Sequence, residues 1–278
     1  MSQFEVGNIS ATAVLTAKMR ALESEREGSQ INDQYAALLV EHSGLDLRSL
    51  KLEQVTGQRL FESNVVRTHF LDNALLTASA NGVRQVVILG SGLDTRAARL
   101  DLPHDCVVFE IDQLAVITYK KQVLADRGVP IDVDWRPRGG NLEGDWLREL
   151  TTAGFDSTVP TAWIIEGVLF YFSDETVAQL IQTVSDQSAA GSELLAVHFG
   201  AGALIEAQSR EMATAAENAG YGFKSTVADP VQWLDGYGWD TEAEAFSAAA
   251  ERLGRTIPYD IEEGPGREIA WLIRAVKR

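Results

Sequence analysis

Cysteine is nearly absent from this chain: Cys106 is the single one in 278 residues. It cannot close an internal disulfide, and it offers no thiolate cluster to a metal. Within the apolar run CVVFEI it reads as a buried, inert thiol. Basic charge is also scarce. Lys and Arg number 24 against 40 Asp and Glu, a net charge of −16, with no compact basic run. That composition excludes nucleic acid and anionic membranes as electrostatic partners. Long apolar runs are missing too. The longest, AWIIEGVLFYF, is too short to span a bilayer and carries Glu166. The opening MSQFEVGNIS has neither the basic nor the apolar part of a leader. A soluble, cytoplasmic protein is expected. No repeat, low-complexity tract or Pro/Gly/Ser linker cuts the chain, so one domain is expected.

What is present changes character at Gln85. Before it, apolar residues at helical spacing predict helices over 9–25 (with Ser10 as a cap), 32–44 and 62–82. After it, strands are predicted at 85–89, 106–111, 131–135, 162–165 and 193–199. Helices alternate with them at 95–100, 114–127, 145–152 and 174–187, the last capped by Ser173. Such alternation predicts an α/β fold, a mostly parallel sheet with helices on both faces. A helix-rich insertion over 202–236 follows, with Asp229-Pro230 as a cap and first-turn proline. A weak strand at 240–246, a helix at 247–254 and a strong final strand in REIAWLIRAV close the chain.

The loop after the first strand reads Gly90-Ser91-Gly92-Leu93-Asp94-Thr95. A dinucleotide fingerprint needs a third glycine, which is missing, and Asp94 would set a negative charge beside a pyrophosphate. A phosphate-free cofactor such as S-adenosylmethionine meets no such obstacle. The second strand supplies acids for ribose hydroxyls, Glu110 and Asp112, the latter at the expected spacing of about 20 residues past the glycines.

The segments LGSGLDTRAARL, VFEIDQLAVITYK and EGVLFYFSDETV resemble the leucine carboxyl methyltransferase-like family of S-adenosylmethionine-dependent O-methyltransferases. That family includes protein-phosphatase carboxyl methyltransferases and bacterial enzymes acting on polyketides and other natural products. The resemblance implies a class I, Rossmann-like fold with a seven-stranded sheet. It implies a cap over 1–82, a cofactor-binding core over 83–200, a helical lid over 201–238 and closing strands over 239–278. It further implies that Arg67 pairs with the cofactor carboxylate and that Gly90, Ser91 and Gly92 line the methionine and sugar. Asp112, with Glu110 beside it, binds the ribose; Asn141 and Leu142 flank the adenine; Glu166 lies near the methionine portion and Tyr171 near the transferred methyl. His69 and Glu143 stand where the family often has arginines.

Each of these residues also has a plain structural reading. Asp94 and Arg96 are suited to pair and brace the loop. Glu166, in an apolar run, needs partners for its charge, a ligand ammonium among them. His198 is either a packed rim histidine or a base within reach of an acceptor. Phe199, Tyr171, Phe172, Tyr35 and Trp233 are candidates for an acceptor pocket or for ordinary packing. The expected activity is methyl transfer to a carboxylate, or to an acidic enol or phenol, of a small molecule such as a secondary metabolite. The alternatives are an NAD-dependent oxidoreductase and a non-catalytic cofactor-binding module.

Overall fold

The computed structural model describes residues 11–45, 54–205, 223–259 and 262–278. Three helices come first: α1 (Ala11–Ser24), α2 (Ala36–Ser43) and α3 (Gln54–Ala80). Ser10, expected to cap α1, lies outside the described residues. The alternating part follows as β1 (Gln85–Leu89), α4 (Arg96–Arg99), β2 (Val107–Asp112), α5 (Leu114–Asp126) and β3 (Asp134–Gly139). It continues through α6 (Trp146–Thr152), β4 (Thr161–Ile165), α7 (Asp174–Asp186) and β5 (Glu193–Phe199). Beyond it lie α8 (Pro230–Asp235), β6 (Trp239–Ala245), α9 (Phe246–Arg252) and β7 (Ala270–Lys277).

Local chemistry sets several of these boundaries. The Ser173 hydroxyl accepts the Thr176 amide at the start of α7, and Asp229 accepts the amides of Val231 and Gln232 with Pro230 in the first turn of α8. Both caps satisfy donors that a helix cannot satisfy internally. The expected 202–236 insertion is described only at its ends, as a 3-10 turn at Ala201–Leu204, an irregular stretch from Phe223 and α8. Its middle, 206–222, lies outside the described residues.

The seven strands form one sheet in the order β3-β2-β1-β4-β5-β7-β6. The first five in that order are parallel, and β7 is antiparallel to both β5 and β6. Side chains alternate between two cores. Val86, Ile88, Val108, Ile164, Leu195 and Val197 pack on one side with α3 and α9. Val87, Leu89, Phe109, Trp163, Ile165 and Leu194 pack on the other with α6, α7 and α8. Burial on both faces explains why these strands are continuously apolar. A third cluster joins α1, α2 and α5 around Val14, Leu39, Tyr119 and Leu93.

One strand differs from expectation. The ladder of β3 is made by Asp134–Gly139, not 131–135. Ile131 and Val133 instead pack against the hydrophobic cores as a lead-in. Pro137 is tolerated because β3 is an edge strand. The weak β6 likewise occupies the other edge, paired with β7. Strand order reverses between β1 and β4, so the crevice beyond the carboxyl ends of these strands is the natural ligand position. Among the described residues no helix is long and apolar enough to cross a membrane.

Candidate active site

A cavity of about 1310 Å³ opens at that crevice. It exceeds the ~300–1,000 Å³ of an ordinary small-molecule pocket, leaving room for two ligands. One half is lined by the ends of β1, β2, β3 and β4: Gly90, Ser91, Gly92, Asp112, Asn141, Leu142 and Glu166 all reach it. Arg67 joins them from α3, and Tyr171 borders them from the turn after β4.

The glycine loop has a steric reason. Gly90 and Gly92 adopt φ of +68° and +49°, and a Cβ at Gly90 would stand 3.0 Å from Val168. Left-handed backbone of this kind favours glycine. The Gly92 amide donates to Asp112 Oδ2 at 2.6 Å, and the Gln113 amide donates to Oδ1 at 2.6 Å. The carboxylate is therefore fixed in place, and each oxygen keeps further lone-pair capacity for a hydroxyl donor.

Glu166 is bound from two sides. Its Oε1 lies 2.9 Å from Arg67 Nε and its Oε2 2.8 Å from Arg96 Nη1. Arg96 also holds Asp94 and, through Nε, Asp72 at 2.7 Å; Asp72 in turn takes two bonds from Arg99. Arg99 approaches Asp33 at 3.7 Å, and Asp33 is bonded by Arg20, whose Nη2 also donates to the Leu93 carbonyl at 2.6 Å. Arg20, Arg67, Arg96 and Arg99 thus alternate with Asp33, Asp72, Asp94 and Glu166, and their charges cancel. Burial alone would raise the Asp94 pKa, yet Arg96 and Lys120 bring it down to about 2. Glu166 is lowered against the same desolvation, first by Arg96 and then by Arg67. The expected Asp94–Arg96 brace is present, and through Glu166 it extends to the strand-end half of the cavity.

Two expected site residues are not brought in. Glu110 is 1% exposed and outside the cavity lining. Its carboxylate is paired with Lys120 and accepts Trp135 Nε1 at 2.9 Å, and burial raises its pKa. It sits inside β2, whereas Asp112 ends the strand, so depth separates the two acids. His198 is 2% exposed, and its Nδ1 accepts the Phe199 amide at 3.0 Å. Val197 and Phe199 line the cavity, so the pleat turns His198 to the opposite face, against Trp233. Asn141 reaches the cavity, but its Oδ1 already accepts the Glu143 amide at 3.0 Å. Tyr35 and Trp233 belong to the packed clusters.

The structure also adds lining residues that the sequence pattern did not single out. Asn64 lies on α3 one turn before Arg67, and Leu114, 69% exposed, opens onto the cavity after Asp112. Away from the strand ends the cavity is lined by Phe170, Phe199 and Phe223 with Lys224 beside them; Arg59 also lines it, with its Nε and Nη2 donating to the Pro258 carbonyl. The Phe170 and Phe199 rings stack at 4.3 Å, and Phe223 meets Phe170 edge-on at 5.2 Å. Leu114 carried a local signal, an apolar residue two positions beyond an acidic strand end; Asn64 and Phe223 carried none.

A sheet of this order with an antiparallel β7, and a cavity holding a strand-end acid beside a glycine loop, define a class I S-adenosylmethionine-dependent methyltransferase. The chain belongs to the leucine carboxyl methyltransferase family, whose model matches residues 13–185. A protein of Streptomyces avermitilis named as an S-adenosyl-L-methionine-dependent methyltransferase is 38% identical, covering 96% of this chain and 95% of its own. One of the same description from Mycobacteroides abscessus is 37% identical over 94% and 93% of the two chains. Among solved structures, a methyltransferase of Thermobifida fusca superposes with a TM-score of 0.60 at 19% identity, over 96% and 94%. Magnesium protoporphyrin IX methyltransferase of Synechocystis PCC 6803, solved with bound S-adenosylmethionine, gives 0.50 at 12% identity, over 82% and 85%. S-adenosylmethionine is accordingly the cofactor, and the nicotinamide alternative falls away.

Proposed function

We propose that this methyltransferase acts on oxygen, transferring a methyl group to a carboxylate or an acidic enol or phenol of a small apolar molecule. The observation that carries the reading is the make-up of the far half of the cavity. Among the described residues it presents stacked aromatic rings, Tyr171 and one exposed cation, Lys224. His198, the candidate base, faces away from it. An acceptor that arrives already ionised suits such a wall, because a carboxylate is deprotonated at neutral pH without help.

The cofactor brings a methyl group activated by its sulfonium charge. The work left to the chain is alignment and exclusion of water. Arg67 and Glu166 orient the amino-acid end, Asp112 takes the ribose hydroxyls, and Asn141, Leu142 and the exposed Leu114 border the adenine. Tyr171 sits where the two halves meet. Phe170, Phe199 and Phe223 hold the apolar body of the acceptor and keep water from the reacting atoms, while Lys224 favours an anion.

Two measurements test this. Calorimetric titration with S-adenosylhomocysteine should show micromolar binding that Asp112→Ala and Arg67→Ala each abolish. A panel of small carboxylic acids and phenols with methyl-labelled cofactor should then give base-labile esters from acids or stable ethers from phenols. Methyl incorporation on nitrogen or carbon acceptors alone would sink the proposal.

A further inference from the structure

Asn64 is 2% exposed, lines the cavity, and neither its Nδ2 nor its Oδ1 has a hydrogen-bond partner. A buried primary amide with both ends unmade is costly, since each group has given up water for nothing. The neighbouring Arg67 is in a similar position. Its Nε lies 2.9 Å from Glu166 but too poorly aligned to form a hydrogen bond, and it is buried. Residues three apart on a helix share a face, with Cβ atoms about 5–6 Å apart, so the Asn64 amide and the Arg67 guanidinium border the same part of the cavity. Both oxygens of Glu166 are already met by arginines.

We infer that Asn64 binds the amino-acid end of the cofactor, its Nδ2 donating to the carboxylate and its Oδ1 accepting from the ammonium. The chemistry selects this partner. A zwitterion presents one strong acceptor and one strong donor side by side, and a primary amide is the neutral side chain that matches both at once. A carboxylate at this position would repel the ligand's carboxylate, and a cation would repel its ammonium. The inference rests on the cavity being the cofactor site, and it adds to Arg67 and Glu166 a residue whose polar atoms are satisfied only when the ligand is in place.

The test compares three ligands by calorimetry on the full chain: S-adenosylmethionine, S-adenosylhomocysteine and 5′-methylthioadenosine, which lacks the amino-acid end. Asn64→Ala should weaken the first two roughly 10- to 100-fold, the range for hydrogen bonds to charged groups, and leave the third unchanged. Asn64→Leu, close in volume and without polar atoms, should show the same selective loss. It should also raise the thermal midpoint of the ligand-free protein, because it removes an unsatisfied amide. Equal weakening of all three ligands, unchanged binding of S-adenosylhomocysteine, or a lowered midpoint for Asn64→Leu would each overturn the assignment. If the wild-type chain itself bound none of the three, the cavity reading would fall with it. Wild-type binding with insensitive variants would overturn the role of Asn64 alone.

Discussion

Burial holds the His198 imidazole neutral, with its pKa brought down to about 4 from 6.5. Between those values the unfolded chain carries a proton that the folded chain does not, so acid favours unfolding. This contribution is complete above pH ~6.5 and is lost as the pH falls towards 4. At about 1.4 kcal/mol per pH unit it amounts to roughly 3 kcal/mol. His198→Gln should flatten that stretch of the stability curve measured by urea unfolding. An unchanged slope would mean that another group is responsible. At this scale the sequence was legible where a residue's position on its strand is decisive. Asp112 ends β2 and lines the cavity, at the spacing to the glycines where a strand-end acid is expected; Glu110, two residues earlier, has the same chemistry and differs in depth. Strand polarity gives His198 and Phe199 opposite faces, but only the assembled sheet shows which face meets the cavity.

Elements were easiest to read where one face is apolar and the other meets water. The helix α7 was read almost to the residue, because Ser173 supplies a cap and Val177, Leu180, Ile181 and Val184 form a clean stripe. Ser173→Ala should cost about 1 kcal/mol, a fall of roughly 2–4 °C in the thermal midpoint, with cofactor affinity unchanged. A loss of affinity would show that α7 reports to the site. The helix α3 was harder: it starts at Gln54, eight residues before the expected Glu62. Its first turns present Arg59, Ser63 and Asn64 to the cavity. These polar residues stand where a core-facing helix would carry Leu or Val, so the demands of the site erase the periodicity by which the helix is recognised. In β3 the apolar Ile131 and Val133 drew the prediction toward the wrong segment, because a lead-in that packs on the core looks like a strand when hydrophobicity is the only guide.

Across the molecule, the ion-pair chain ties the N-terminal helices to the glycine loop, since Arg20 of α1 holds both Asp33 and the Leu93 carbonyl. Removing one member of a buried pair leaves a charge uncompensated and costs about 3–5 kcal/mol, whereas removing both costs less. Arg20→Met should therefore be more destabilising than Arg20→Met with Asp33→Asn, measured by urea denaturation. Additive losses would mean that the pair is uncoupled. Of this chain the sequence shows only the local Asp94–Arg96 pair; the other members are spread from Arg20 to Glu166 and acquire meaning only when the helices dock.

The sheet order has a further consequence, for the moment of synthesis. β7 lies between β5 and β6, and in the described residues β6 pairs with no other strand. On a ribosome the five parallel strands can assemble first, leaving the apolar edge of β5 open. β6 emerges next and finds no ladder to join. Both wait for β7, which also brings Ala270 to the cavity wall beside Phe199. Until then the nascent chain carries an unpaired edge of the kind that invites wrong pairing. A single insertion closes the sheet, removes that hazard and completes the pocket.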